Sequence, residues 1–306
     1  MKNIFSLIIV ISLATVNIFA QQQHTSGVAI QPDSIIVYKE IDDVKLNLNV
    51  FFPPNHKSTN KTPVIVFFHG GGWQGGGPAH FYNQSKYFAS RGLVAISVQY
   101  RTEKQHGTTP IACVKDGKSA MRFIKKNASK YGIDPNRIIA GGGSAGGHVA
   151  AAMATIEGFN EAGEDTSVSC IPKALVLYNP VANNSAEGYG YNRVKDYWED
   201  FSPAHNLTKD TPPTLIMLGT KDTAFKPHLA EQYKQKMEAL GNRCDLILYQ
   251  DQVHAFFNEK NRDMHIKTMK DADIFLTSLG YLKGKPTTDE FRGNLFPDEI
   301  IDEIFK

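Results

Sequence analysis

Gly141-Gly142-Gly143-Ser144-Ala145-Gly146-Gly147 stands between the short run Arg137-Ile138-Ile139-Ala140 and an alanine-rich stretch from His148 to Ala154. That order spells strand, tight turn and helix, with a serine at the apex. The spacing Gly142-x-Ser144-x-Gly146 is that of a nucleophile elbow, where a strained turn lifts the hydroxyl clear of the backbone at the top of a sheet. The glycines are expected to supply positive φ and close backbone approach, both of which a Cβ obstructs. The same pattern also occurs in ordinary glycine-rich loops ahead of helices, so its weight depends on the rest of the chain.

Outward from the elbow, apolar runs alternate with helical patterns. Ser34–Val37 and Val44–Phe52 alternate like early strands of a hairpin. Val64–Phe68 is continuously apolar, as suits a strand buried on both faces. Phe81–Arg91 reads as a helix closed by Gly92, and Leu93–Val98 as the next strand. Ile111–Tyr131 reads as a helix stopped by Gly132. Ala174–Tyr178, Leu215–Leu218 and Asp245–Tyr249 are further strands, and Pro227–Leu240 and Thr268–Leu279 further helices. This rhythm predicts an α/β fold, a mostly parallel sheet with helices on both faces and its reactive groups at the carboxyl ends of strands. Residues 181–213 interrupt it with a polar, aromatic stretch holding Tyr189, Tyr191, Tyr197, Trp198 and Phe201. A segment of that length reads as a small lid over the site or as an irregular connection.

Residues 1–20 read as a secretory signal: Lys2, an apolar core from Ile4 to Ala14, and a small residue, Ala20, before Gln21-Gln22-Gln23. The expected product is periplasmic or extracellular. The apolar run is shorter than the roughly 20 residues of a spanning helix, so no stable membrane anchor is expected. Residues 21–285 are assigned to one catalytic domain and 286–306 to a tail ending in a short amphipathic helix, Pro297–Phe305. With 33 basic against 31 acidic residues, no nucleic-acid groove is indicated. Cys113, Cys170 and Cys244 permit at most one disulfide and suit core filling. No CxxC or HExxH spacing occurs, so neither a metal nor another cofactor is expected. Nothing in the sequence sets the oligomeric state.

An activated serine needs a base, and the base needs an orienting acid. Asp222 follows the strand ending at Leu218, and His254 follows the last strand by five residues. The chain order Ser144, Asp222, His254 is the Ser…Asp…His order of one hydrolase fold and of neither other familiar protease arrangement. Asp251 is the rival acid, set aside because it lies too near His254 in sequence to approach from the neighbouring strand end. His24, His56, His80 and His106 sit in polar loops or helix starts; His205, His228 and His265 have no strand end beside them; His148 points from its helix into the packed layers.

A second motif, His69-Gly70-Gly71-Gly72-Trp73, ends the Val64–Phe68 strand. Acyl transfer develops negative charge on a carbonyl oxygen, and preorganised backbone N–H groups stabilise it by several kcal/mol. HGGG loops supply such donors beside GxSxG turns.

With these pieces in place, the chain from about Ile35 to Leu282 resembles the α/β-hydrolase esterases of the acetyl-esterase and hormone-sensitive-lipase type. The resemblance rests on HGGGW at 69–73, Tyr100-Arg101, Asp116 with Ala120 and Arg122, Tyr131 to Ile138, GGSAGGH at 142–148, LGTKD at 218–222 and VHAFFN at 253–258. It implies oxyanion donors at the N–H groups of Gly71, Gly72 and Ala145, and gives His69 a loop-shaping role. Tyr100-Arg101 and Asp116 are taken to buttress that loop.

Two departures narrow the expectation. The lipase-like branch carries an acidic residue before the serine and a long N-terminal cap; here Gly143 precedes Ser144, and few residues precede the first strand. The pattern is nearer to secreted bacterial carbohydrate esterases that remove acetyl or feruloyl groups, with a small or absent cap. The expected activity is serine carboxylic-ester hydrolysis of a small-molecule or polysaccharide ester. A short-chain lipid or aryl esterase and an arylformamidase-like hydrolase stand as alternatives, and a non-catalytic hydrolase-fold binding protein as the reading from another class. Trp73, Tyr189, Tyr191 and Trp198 are the candidates for an aromatic rim on which sugar rings stack.

Overall fold

A computed structural model of the protein describes residues 30–291. The signal sequence and the C-terminal amphipathic helix expected from the sequence lie outside the described residues. No helix within them is long and apolar enough to cross a membrane.

In chain order the elements are β1 (Ser34–Ile41), β2 (Val44–Phe51), β3 (Thr62–Phe68), α1 (Tyr82–Ser90), β4 (Val94–Val98), α2 (Glu103–His106), α3 (Pro110–Lys126), β5 (Ile133–Gly143), α4 (Ala145–Thr155), β6 (Ala174–Tyr178), α5 (Tyr191–Val194), α6 (Trp198–Phe201), β7 (Thr214–Gly219), α7 (Pro227–Ala239), β8 (Cys244–Tyr249) and α8 (Arg262–Ser278). Eight strands form one sheet in the order β1-β2-β4-β3-β5-β6-β7-β8. β1 and β2 are an antiparallel hairpin, β2 pairs antiparallel with β4, and the remaining neighbours are parallel. This is the α/β-hydrolase fold, with a mostly parallel sheet between two helical layers.

Strand β3 shows why its sequence is apolar without alternation. Val64, Val66 and Phe68 join the core under α3, α4 and α7, while Ile65 and Phe67 join the core under α1 and α8. Each face is covered, so every side chain of the run is buried. Side chains of this size each contribute about 1.5–3 kcal/mol on full burial.

Some boundaries differ from the sequence-based expectation. Strand β5 runs through Gly141–Gly143, because those glycines pair with Phe67, Phe68 and Tyr178 of the flanking strands before the turn begins. Helix α3 stops at Lys126, where Asn127 turns its side-chain amide back onto the Phe123 carbonyl, and turns carry the chain to Gly132. Helix α8 starts six residues earlier than expected, at Arg262. The three cysteines are free and buried.

Residues 181–213 contain the two single-turn helices α5 and α6 between β6 and β7. Val181, Ala182, Val194 and Phe201 anchor this segment in the core beside α4. His148 of α4 donates from Nε2 to the Phe201 carbonyl at 2.8 Å. Of the two readings of this stretch, a packed connection describes its anchored residues better than a lid does.

Candidate active site

The parallel strands all deliver their carboxyl ends to one edge, and the candidate residues gather there. Ser144 caps α4 with φ 54° and ψ −119°. The strain of the elbow therefore sits on the serine itself, which is a left-handed conformation that non-glycine residues rarely adopt. This corrects the expectation that the elbow glycines supply positive φ. Their role is close approach: a Cβ on Gly146 would lie 2.0 Å from the Phe68 carbonyl oxygen. Such a clash would push α4 off β3 and displace the serine.

His254 Nε2 lies 2.8 Å from Ser144 Oγ, and His254 Nδ1 lies 2.8 Å from Asp222 Oδ2. The Asp222 carboxylate is buried; its other oxygen accepts the backbone N–H groups of Ala224 and Phe225 at 2.8 and 3.0 Å. Because a carboxylate accepts only, Nδ1 carries the proton and Nε2 presents its lone pair to the serine hydroxyl. Asp251 faces solvent and pairs with Lys221 at 2.9 Å, away from the imidazole.

Behind the serine, the HGGGW loop folds back over β3 with Gly71, Gly72 and Trp73 at φ 124°, 61° and 60°. The N–H groups of Gly71 and Gly72 donate to no acceptor among the described residues. Ala145 is the first residue of α4, so its N–H also lacks an intrahelical partner. Gly71, Gly72 and Ser144 line one cavity of about 620 Å³ with His254, Asn179 and Tyr189. These are the features an oxyanion-binding pocket requires: open donors beside the nucleophile, on rigid backbone.

The loop is braced from below. Tyr100 stacks on His69 with ring centroids 4.0 Å apart and donates its hydroxyl to the His69 carbonyl at 2.5 Å. His69 donates from Nδ1 to the Gly70 carbonyl, and burial drives its pKa down to about 4. It is a neutral brace at working pH. Arg101 and Asp116 form a buried pair at 2.8 Å, joined by Lys39 and Glu161. Of the residues read as a buttress, Tyr100 touches the loop through His69, while Arg101 and Asp116 bond to each other, Lys39 and Glu161.

The aromatic rim is corrected. Trp73 is fully buried, edge-on to His148 and Phe201 at 5.1 and 5.7 Å, and offers no face to a ligand. Tyr191 and Trp198 meet each other at 6.4 Å, outside the cavity lining. Trp198, the first residue of α6, is partly buried and packs on the core. Of the four, Tyr189 alone lines the cavity. The cause is the inward packing of residues 181–213, which draws the indole of Trp73 beneath it.

Three residues of the site were given no role in it by the sequence reading. Asn179 follows β6 and lies between the strands that carry Ser144 and Asp222. Its side-chain oxygen accepts the Ala255 N–H at 3.2 Å, and its amide nitrogen is 3.3 Å from His254 Nε2. A polar residue directly after an apolar strand was its signal. Phe257 packs over Gly143, where a Cβ would come within 2.5 Å of the ring. His265, set aside for want of a neighbouring strand end, is buried yet lines the cavity from the first turns of α8.

Residues 48–176 match the BD-FAE family and residues 174–279 the dienelactone hydrolase family. The fold superposes on Thermogutta terrifontis esterase 2 with a TM-score of 0.79 at 37% identity, covering 82% of this chain and 96% of that one. A probable isoprenylcysteine alpha-carbonyl methylesterase of Arabidopsis thaliana is 25% identical over 70% of this chain and 49% of its own length. The carboxylesterase NlhH of Mycobacterium tuberculosis is 33% identical over 39% of this chain and 36% of its own. The chain spans about half the length of the first two of the curated relatives.

Proposed function

The chain belongs to the α/β-hydrolase esterases, and from that premise we propose that it hydrolyses short-chain carboxylic esters of hydroxylated alcohols, carbohydrates in particular, through a serine acyl-enzyme. The observation that carries the chemistry is the continuous hydrogen-bonded line Ser144–His254–Asp222 opening into the cavity. Ser144 Oγ attacks the ester carbonyl as His254 Nε2 takes its proton. The oxyanion that forms is met by the N–H groups of Gly71, Gly72 and Ala145. His254 passes its proton to the departing alcohol, then activates water, which releases the acid and restores the serine. Asp222 holds the imidazole in the required tautomer and stabilises the imidazolium.

Short acyl groups are supported by the apolar wall beside Ser144. Phe257 and Phe81 close over Gly143, with their centroids 5.7 Å apart, and give a short acyl group an apolar surface to pack on. Thermogutta terrifontis esterase 2 has been seen with propionate and with butyrate bound, and phosphorylated by paraoxon. The aromatic rim no longer supports a sugar; the polar wall of the same cavity does, through Asn83, Asn258 and Glu259. The leader-like residues 1–20 support export, which is tested by whether the protein recovered outside the cytoplasm begins at Gln21.

Paraoxon labelling tests the nucleophile: one diethylphosphoryl group should add to the parent protein and none to Ser144→Ala by intact mass. Substrate class is tested by acetate release from acetylated oligosaccharide alongside aryl acetate and aryl octanoate. Octanoate as the best ester, with no acetate from the sugar, would leave a lipid esterase on the same three residues.

A further inference from the structure

The cavity extends beyond the nucleophile to a wall built from the loop after β8 and the start of α8, and His265 is its least explained residue. The side chain is buried at 2% exposure. Its Nδ1 lies 2.8 Å from the Phe257 carbonyl oxygen, which can only accept, so Nδ1 carries the proton. Burial lowers the pKa of the imidazole, which favours the neutral ring. Nε2 is then a bare lone pair, buried, with no partner among the described residues. A buried acceptor without a donor is unfavourable, and native proteins rarely keep one without use.

Glu259 adds a second acceptor on the same wall. Asn83 Nδ2 donates to its Oε2 at 2.8 Å, which ties the loop to α1. Its charge reaches the imidazole of His265. Lys260 lines the cavity beside it, so the wall is not a bare anionic site. Two acceptors and no net charge suit a neutral O–H donor better than a cation.

We propose that His265 Nε2, with the Glu259 carboxylate, forms a subsite that binds a hydroxyl group on the alcohol part of the ester. The proposal rests on the esterase reading of Ser144 and deepens it by naming the chemistry of the leaving alcohol. The His254 loop supplies the coupling. Phe257, whose carbonyl fixes the His265 tautomer, sits three residues after His254 and covers Gly143 beside the serine. The alcohol is therefore read by the segment that carries the base. A site built to bond a hydroxyl discriminates against an analogue lacking it, because its own acceptors are then left unpaired.

The test is the ratio of kcat/KM for glycerol monoacetate to that for propyl acetate, two esters with one acyl group and similar chain length. The parent enzyme should favour the glycerol ester by about tenfold, the usual scale of one or two buried hydrogen bonds. His265→Leu should bring the ratio near one, and His265→Gln, which keeps an acceptor near Nε2, should restore part of it. Glu259→Ala, at an exposed position, should lower the ratio about threefold even if His265→Leu fails to fold. A parent ratio near one overturns the subsite. So does an unchanged ratio in His265→Leu or Glu259→Ala, including the case where both esters slow equally, which marks a structural role or a bound water only. Hydrolysis of acetylated sugar is measured separately: its absence, with the glycerol preference intact, refutes the carbohydrate reading and leaves the subsite standing.

Discussion

Ser144 and Trp73 both follow the carboxyl ends of neighbouring strands, β5 and β3, and both hold left-handed backbone, at φ 54° and 60°. Their side chains have opposite fates. Ser144 looks into the cavity; Trp73 is wholly buried. The turn is local in each case, and glycines on either side make it possible. Where the side chain goes depends on what covers it. Among the described residues, Ser144 faces a cavity that Gly70, Gly143 and the imidazole also line. Over Trp73 lies a segment more than a hundred residues later: Gly190 leaves room for the indole, Tyr189 and Phe201 flank it, and Arg193 sits 5.7 Å above the ring. A strained turn thus presents a residue without deciding whether it presents it to solvent or to the core.

Substitutions at the two positions should separate reaction from packing. The largest effect is expected for Ser144→Ala. Loss of the nucleophile should lower kcat by about 10⁵-fold or more with the melting temperature hardly changed. Activity within tenfold of the parent would remove the serine from the chemistry and end the contrast.

Asp222→Asn should follow, with kcat down by about 10⁴-fold because the amide favours the wrong imidazole tautomer. Asp251→Asn, at its exposed ion pair, should stay close to the parent. The reverse pattern would transfer the acid role to Asp251.

Trp73→Ala should act on stability instead. Removing a buried aromatic side chain destabilises by about 3–5 kcal/mol through lost burial and the cavity left behind. Chemical denaturation should show this, and a protein of unchanged stability with lost sugar-ester activity would restore Trp73 to the ligand face.

Arg193 joins the two regions. Its guanidinium donates to the Gly72 carbonyl and pairs with Glu103 at 2.6 Å, so it holds the oxyanion loop from the side of residues 181–213. Arg193→Ala should lower kcat about tenfold, or about 1.4 kcal/mol, with little change in KM, if Gly71 and Gly72 are the proposed oxyanion donors, which act most in the transition state. An equal rise in KM would point to ground-state binding.

Tyr191→Ala should do least. The side chain is half-buried away from the cavity, and stability and kcat/KM for aryl acetate should change by no more than about 0.5 kcal/mol. A large loss of activity on acetylated sugar alone would reinstate the aromatic rim.

The alternation of apolar runs and helical patterns, with GxSxG and HGGG at the ends of strands, was enough to read the parallel sheet, the elbow and the order Ser144, Asp222, His254. Each of these is written locally: strand character follows from side-chain period, and glycine at 146 follows from the approach of α4 to the Phe68 carbonyl. The identity of the acid partner was also accessible, because parallel strands place their ends along one edge in a fixed order. What the chain could not disclose by itself was the covering of that edge. Aromatic residues at 73, 189, 191 and 198 look alike in sequence, since core and rim draw on the same side chains. Only the long-range packing of residues 181–213 buries one, leaves Tyr189 on the cavity and turns two aside. His265 is the converse case, a helix residue with no motif around it. It joins the cavity lining through the fold of the loop after β8, and one imidazole nitrogen has no partner among the described residues, an outcome set by tertiary packing rather than by any local pattern.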